Sequence, residues 1–254
     1  MLSVRRRILI RDVLIDQIDW PTAISTIMTW AIGRHGRIVC VCNVHSVITS
    51  RPNPDLRAAI NESDLATPDG MPIAWFISKC QQTKQTRING PDLMVRLCDA
   101  AARQRVAVAL YGSTESTIEK LRQALLDKFP RLRVAAMISP PFRELSITED
   151  ALMVEALNSS GAGIVFVGLG CPKQELWMIA HRNHVQAVMI GVGAAFDYLA
   201  GTVQRPPVWM QRAGLEWLGR LIAEPRRLWR RYFITNTIFI LYILRELVLL
   251  KKTS

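Results

Sequence analysis

The chain is predicted to fold as a doubly wound α/β protein: a Rossmann-like, largely parallel sheet flanked by helices, with a helical C-terminal appendage. Three observations predict this. Short apolar runs alternate with segments of helical periodicity, the pattern of strands that crossover helices bury on both faces. Several runs end in glycine turns that lead at once into helix-opening chemistry, as in Val167-Gly168-Leu169-Gly170-Cys171-Pro172-Lys173-Gln174. With 254 residues, half of them hydrophobic, the chain is also long enough to bury one sizeable core.

Taken in order, Pro21 opens a helix that places Ile24, Ile27, Met28 and Ala31 on one face, and Gly33 closes it. Residues 37–42 form a strand ending at Asn43, in which Cys40 and Cys42 read as core packing. A helical segment at 56–65 precedes Thr67-Pro68-Asp69-Gly70-Met71-Pro72, a Pro/Gly-bounded loop that sets Asp69 between two apolar elements. Such an aspartate can also be a turn residue bonded to its own backbone. Arg87-Ile88-Asn89-Gly90-Pro91-Asp92-Leu93 is a second loop, open to the same plain reading as a cap for the helix behind it.

Residues 106–110 form a strand running into Tyr111-Gly112-Ser113-Thr114. Ser116 and Glu119 then have the spacing of a capping box for a helix that carries Ile118, Leu121 and Leu125. Further strands are expected at 132–138, 163–167 and 187–192, the last ending in Gly193-Ala194-Ala195-Phe196-Asp197. After the strand at 163–167, Pro172 suits the first position of a helix. Lys173 and Gln174 then sit where unpaired helix N–H groups favour a phosphate or another anion.

Ligands of such sheets collect at the carboxyl ends of the strands. Asn43, the Tyr111-Gly112-Ser113 turn, residues 170–174 and residues 193–197 are therefore expected to share one crevice. The dinucleotide fingerprint and the P-loop are both missing at the expected places, which disfavours a standard NAD enzyme or ATPase. Five cysteines, odd in number and without paired spacing, read as reduced thiols of a cytoplasmic protein. Arg5-Arg6-Arg7 begins like a signal peptide, but Arg11 and Asp12 interrupt the apolar run, so export is not expected.

The net charge of +11 is concentrated at the C-terminus. Residues 205–254 hold ten Lys or Arg against three Glu, so this appendage supplies +7 and the core at 1–204 only +4. Arg226, Arg227, Arg230 and Arg231 are interleaved with Leu228, Trp229, Tyr232 and Phe233, a mixture suited to an anionic membrane surface. The apolar run from 232 to 244 is shorter than the ~20 residues of a membrane span and is closed by Arg245-Glu246. An interfacial helix is expected. A helix capping the core, a dimer contact and a full, tilted span with a charged interruption are the alternatives.

Six motifs in one order, T-P-D-G-M-P, R-x-N-G-P-D-L, Y-G-S, G-x-G-C-P-K-Q-E, G-A-A-F-D-Y-L-A-G and G-L-E-W-L-x-R-L-x-x-E-P-x-R-L, resemble the WecG/TagA/CpsF family of bacterial glycosyltransferases from about residue 8 to about residue 233. The resemblance implies transfer of a hexose or N-acetylhexosamine-type sugar from a UDP-sugar to a polyprenyl-diphosphate-linked sugar, with inversion. It implies a peripheral enzyme at the cytoplasmic face of the bacterial inner membrane, UDP-sugar as co-substrate, no other cofactor and no active-site metal. It places Asp69 as general base, Asn43 and Arg87 at the donor, Gln174 in contact with the substrate, Asp197 near the uracil, and Arg220, Arg227 and Arg230 as arginines delivered by the appendage; Asn89, in the same loop as Arg87, is added as a substrate-binding candidate. Tyr111, Gly112, Ser113, Gly170 and Lys173 are added as nucleotide-side candidates from their turns. On an unbroken helix Arg231 would share a face with Arg220 and Arg227 better than Arg230 does, but Pro225 breaks the phase.

Val41 stands where relatives often carry threonine, which leaves the sugar open, and Ser139-Pro140-Pro141-Phe142 resembles members that build exopolysaccharide. His45 is a candidate acid/base group or else a structural or exposed histidine, His181 and His184 are expected to face solvent or a partner rather than a metal, and self-association of the core is allowed by the resemblance. Two rival classes use the same basic tail: a non-catalytic membrane-associated nucleotide-binding scaffold and a nucleic-acid-binding protein. The second has no use for polar residues clustered at strand ends.

Overall fold

The computed structural model describes residues 5–252; the side chains of Arg227, Leu247 and residues 249–252 lie outside the described set. The chain opens with a hairpin, β1 (Arg7–Ile10) and β2 (Val13–Asp16), then α1 (Trp20–Ile32), β3 (Ile38–Cys42), α2 (Val44–Ser50), α3 (Pro54–Glu62) and β4 (Leu65–Pro68). Next come α4 (Met71–Gln81), α5 (Gly90–Gln104), β5 (Ala107–Gly112), α6 (Glu115–Lys128), β6 (Arg133–Ile138) and α7 (Ile147–Ser159). The remainder is β7 (Ile164–Gly168), α8 (Lys173–Ala180), β8 (Val188–Gly191), α9 (Ala195–Leu199), α10 (Val208–Arg212), α11 (Glu216–Ala223) and α12 (Pro225–Lys252).

Six strands form one sheet in the order β4-β3-β8-β7-β5-β6, every neighbouring pair parallel. The central strands β3, β5, β7 and β8 are buried along almost their whole length, which is why their sequences are continuous apolar runs. One face of the sheet packs on α1, α5 and α6 through Ile27, Leu97 and Leu121, the other on the hairpin, α2, α3, α8 and part of α12. Parallel strands put every carboxyl end on one edge of the sheet, and that edge carries the site.

The doubly wound class, the helix at α1 and the five expected strands are present. Three local expectations are corrected. The segment 56–65 is a helix only to Glu62; Leu65–Pro68 pair in parallel with Val39–Cys42 as an edge strand. Two residues between helix and strand, and a Pro at the strand end, hide that change of period. The helix after β5 is capped by Thr114, whose side chain accepts from Thr117 N at 3.2 Å, so Ser116 and Glu119 lie inside it and Glu119 pairs with Arg122 instead. His181 is not solvent-facing: it is buried, stacked on Trp177, and its ring nitrogens meet Trp177 O and Asp150 Oδ2, each at 2.7 Å. The partner it lacked in sequence is 31 residues away.

The C-terminal segment is continuous helix from Pro225 onward, separated from α11 by a break at Glu224. One stripe of α12 closes the core: Leu228, Thr235, Phe239 and Ile243 are buried, and the Tyr242 hydroxyl accepts from Arg11 N at 2.8 Å. The opposite stripe, with Trp229, Phe233, Ile240, Leu241 and Leu244, is exposed. The capping of the core and the exposed amphipathic face are two sides of the same helix.

Strand spacing near the site depends on small residues. Gly112 has φ +121°, and a Cβ there would lie 2.7 Å from the Gly168 carbonyl carbon in the adjacent strand. Gly112→Ala is expected to cost about 3 kcal/mol through strain and overpacking, read as a lower urea midpoint; an unchanged midpoint would show that β5 and β7 can spread there.

Candidate active site

A cavity of about 740 Å³ opens across the carboxyl ends of β3, β4, β5, β7 and β8. That volume suits a nucleotide-sized ligand. Its floor is built by loops that the sheet holds in place. Asp69 directly follows the fully buried β4; its N–H donates to Cys42 O at 2.8 Å, and Ile88 N donates to Pro68 O at 2.9 Å. The strand end is thus fixed between β3 and the loop before α5. Gly70, at φ +89°, then turns the chain into α4.

Burial dominates the chemistry of Asp69 and pushes its carboxyl up to about 6; Arg87, a hydrogen bond from Asn43 and the Gly70 N–H oppose that rise, while the charge of Glu216 adds to it. The result is a carboxylate that is ionised at neutral pH yet far more basic than an exposed aspartate. His45 on α2 also lines the cavity, but burial, then Arg231, pushes it down to about 3. It remains neutral, with Nδ1 3.1 Å from Thr49 Oγ1, and serves as a hydrogen-bonding group rather than a cation.

Asn43 caps α2, accepting from Ser46 N, and Asn89 caps α5, accepting from Asp92 N at 2.9 Å. The plain capping reading of the Asn89 loop is therefore correct, and the same loop also lines the cavity. Gln174 is buried with its amide fixed at both ends: Oε1 accepts from Gly170 N at 3.2 Å and Nε2 donates to Glu175 Oε1 at 2.8 Å. Gly191 lies beneath it, and a Cβ there would come 2.9 Å from Gln174 Nε2, so a larger residue would displace the amide. Burial raises the Glu175 carboxyl, so this pair forms a desolvated unit under the turn after β7.

The opposite wall comes from the C-terminal helices. Arg220 on α11 lies with its guanidinium over the Tyr198 ring, 5.7 Å from the centroid, and makes no salt bridge among the described residues. Arg231 on α12 lines the same space. Trp217 and Tyr232, tilted against each other at 5.7 Å, continue this wall toward Ile240 at the mouth. The cavity therefore has a polar floor at the strand ends and a wall that mixes arginines with aromatic and aliphatic surface.

Of the residues singled out in sequence, Asn43, Asp69, Arg87, Asn89, Ser113, Gly170, Gln174, Asp197 and Arg220 line this one cavity. Four lie outside its lining. Tyr111 is buried and stacked on Trp177 at 4.2 Å, Gly112 packs on Gly168, and Lys173 and Arg230 are exposed. Despite the break at Pro225 it is Arg231, not Arg230, that faces the site; the Arg227 side chain lies outside the described residues. Sequence reading missed Glu216, whose carboxylate pairs with Arg87 at 2.8 Å, and Arg205, which bridges Glu216 and Asp92. Glu216 stands in the motif G-L-E-W-L, a carboxylate in the first turn of a helix of an otherwise basic segment, and Arg205 carried no signal of its own. Among the described residues no group of three or more His, Cys, Asp or Glu is gathered closely enough to hold a metal ion.

A parallel α/β sheet with a basic carboxylate and arginines over its strand ends has the make-up of a group-transfer enzyme. The sequence matches the glycosyl transferase WecG/TagA/CpsF family over residues 8–253, and the chain belongs to that family. It is a glycosyltransferase. Similar proteins include the N-acetylglucosaminyldiphosphoundecaprenol N-acetyl-beta-D-mannosaminyltransferase of Bacillus spizizenii, 29% identical over 197 residues, 77% of this chain and 74% of the relative. The protein of the same description from Bacillus subtilis strain 168 is 27% identical over 197 residues, covering 77% and 75% respectively.

Proposed function

We propose that the protein transfers a hexose or N-acetylhexosamine from a UDP-sugar to a polyprenyl-diphosphate-linked sugar, in one displacement that inverts the anomeric carbon. The observation that carries this reading is the position of Asp69: a carboxyl raised to about 6, at the floor of a cavity whose other wall holds Arg220 and Arg231. The acceptor hydroxyl oxygen attacks the anomeric carbon, its proton passes to Asp69, and the bond to UDP breaks with the electron pair leaving on the diphosphate. Arginines supply the charge stabilisation that the leaving group needs, so no metal is invoked. Asn43, Arg87 and Gln174 hold the donor, and Asp197 accepts from the uracil N–H. The relatives' names include a diphosphoundecaprenol acceptor, and the apolar side chains at the cavity mouth, Phe142 and Ile240, provide a surface for the first prenyl units.

The exposed stripe of α12 supports a peripheral position on the anionic cytoplasmic leaflet. Trp229 and Phe233 lie beside the exposed Arg226 and Arg230, and each basic residue there contributes about 1 kcal/mol. No helix among the described residues is long and apolar enough to cross a membrane. The polymer served is a cell-surface polysaccharide, with exopolysaccharide favoured by the Ser139-Pro140-Pro141-Phe142 segment.

The test is UDP release from a panel of UDP-sugars, with undecaprenyl-diphosphate-GlcNAc in anionic vesicles and EDTA present. Acceptor-dependent release from one donor, with inverted configuration in the product, is expected. Release from no donor would overturn the activity, retained configuration would overturn the single displacement, and loss in EDTA would overturn metal independence. With the active donor, kcat/KM is expected to rise with pH through about 6, as Asp69 ionises.

A further inference from the structure

Arg87 and Asp69 pose a problem that the fold has to solve. An arginine close enough to lower the carboxyl of Asp69 could also pair with it directly. A full Arg87–Asp69 salt bridge would occupy the carboxylate oxygens that must receive a proton and would turn the arginine away from the donor. The structure contains a competing carboxylate. Glu216, in the first turn of α11, places Oε2 2.8 Å from Arg87 Nη1, with both side chains only 12–15% exposed. Its other oxygen is 3.3 Å from Arg205 Nε, and Arg205 is in turn held by Asp92 at 2.6 Å and Asn89 at 3.3 Å. The cap of α5, the loop carrying Arg87 and the C-terminal helix α11 are thus joined by one chain of charges.

We propose that Glu216 is a positioning residue of the transfer reaction, which holds Arg87 toward α11 and off Asp69 so that the Asp69 carboxylate stays free to act as base. The inference rests on the reading of Asp69 given above, and it adds a residue for which no role has been assigned. It also gives α11 a second task besides carrying Arg220: the appendage must be docked for Arg87 to be held away from the base. The distances favour Glu216 as the stable partner, because Asp69 already takes hydrogen bonds from Asn43 and the Gly70 N–H, whereas Glu216 meets two guanidinium groups. Among the described residues the charged and titratable groups facing Asp69 are Arg87 from the loop before α5, Glu216 from α11 and Tyr232 from α12. His45 on α2, Asp197 after β8 and the arginines Arg220 and Arg231 line the same cavity. Of these, Glu216 is the one whose removal both frees Arg87 and withdraws a negative charge from the base.

Glu216→Gln is the test, with Glu216→Asp as the charge-preserving control. In Glu216→Gln, Arg87 moves onto Asp69, the carboxyl becomes a weaker base, and the acid limb of the kcat pH profile moves to lower pH. Turnover above that limb falls about tenfold, a part of the 10²–10⁴-fold typical of a general base, while donor KM changes less. Glu216→Asp keeps the limb at its wild-type pH. A ¹³C titration of Asp69, assigned by comparison with Asp69→Asn, follows the same group without any assay of transfer. An Asp69 titration at the same pH in wild type and Glu216→Gln, or one displaced just as far by Glu216→Gln in an Arg87→Gln background, would overturn the proposal even if turnover fell, since Glu216 would then act by shape or by its own charge and not by holding Arg87. Absence of transfer in the wild-type protein, with the titration still moved by Glu216→Gln, would instead reject the proposed reaction and leave the pairing intact.

Discussion

Asp69→Asn is expected to lower turnover by about 10²–10⁴-fold and, in the same protein, to raise the stability of the fold at neutral and alkaline pH. The two effects have one cause. Burial raises the carboxyl from 3.8 to about 6 in the folded chain, so between those values the folded state binds a proton that the unfolded state has already lost. The favourable contribution is fully present below the unfolded-state value and is lost as pH rises through the folded one. Above about 6 the wild type carries an ionised, partly buried carboxylate, at a cost of up to about 3 kcal/mol from the roughly two-unit displacement. Water in the open cavity makes this an upper bound. Asparagine carries no such cost. Urea midpoints should therefore favour Asp69→Asn at pH 8, and the two proteins should converge near pH 4. A fold that retains a destabilising carboxylate where an amide fits is expected when the carboxylate has work to do. Equal stability at pH 8 would mean that Asp69 is solvated like a surface aspartate, and equal turnover would remove it as base.

The parts of this site legible in sequence are those fixed by a local backbone requirement. Asn43, Ser113, Gly170 and the turn ending at Asp197 all follow apolar runs, and parallel topology brings the ends of such runs to one edge without further information. Asp69 lies in the short connection between β4 and α4, as its Pro/Gly-bounded loop predicts. The strand before it is not legible, because β4 has four residues, one of them proline, and gives no period of its own. Side chains that reach the cavity across large sequence separations were not legible. Glu216 and Arg87 are 129 positions apart, and only the docking of α11 over the floor brings their charges together. Between Arg230 and Arg231 the break at Glu224 hides from sequence how α12 is rotated against α11; in the structure Arg231 lines the cavity and Arg230 is exposed. Lys173 shows the converse. Its position at the start of α8 suggested anion binding, but the helix points its first side chain into solvent and offers the buried Gln174 instead.

Arg220→Ala is the second substitution expected to have a large effect, a fall in kcat of about 10²–10³-fold, the scale of removing one preorganised donor from a transition-state oxyanion. The argument rests on charge balance at the cavity. Arg87 is already engaged with Glu216, and Arg205, behind it, with Glu216 and Asp92. Arg220, held over the Tyr198 ring and in no salt bridge among the described residues, keeps its charge available to the departing diphosphate. Charge on that group grows as the glycosidic bond breaks, so kcat should fall more than donor KM rises. Lysine at this position would keep the charge but lose the planar fork and the stacking on Tyr198, so Arg220→Lys should recover part of the loss and not all of it. The substitution should lower the urea midpoint only modestly, because a part-buried cation–π contact contributes about 1–2 kcal/mol. A large rise in donor KM at constant kcat would place Arg220 in ground-state binding, and the developing negative charge would then have to be met by Arg231 from the neighbouring helix.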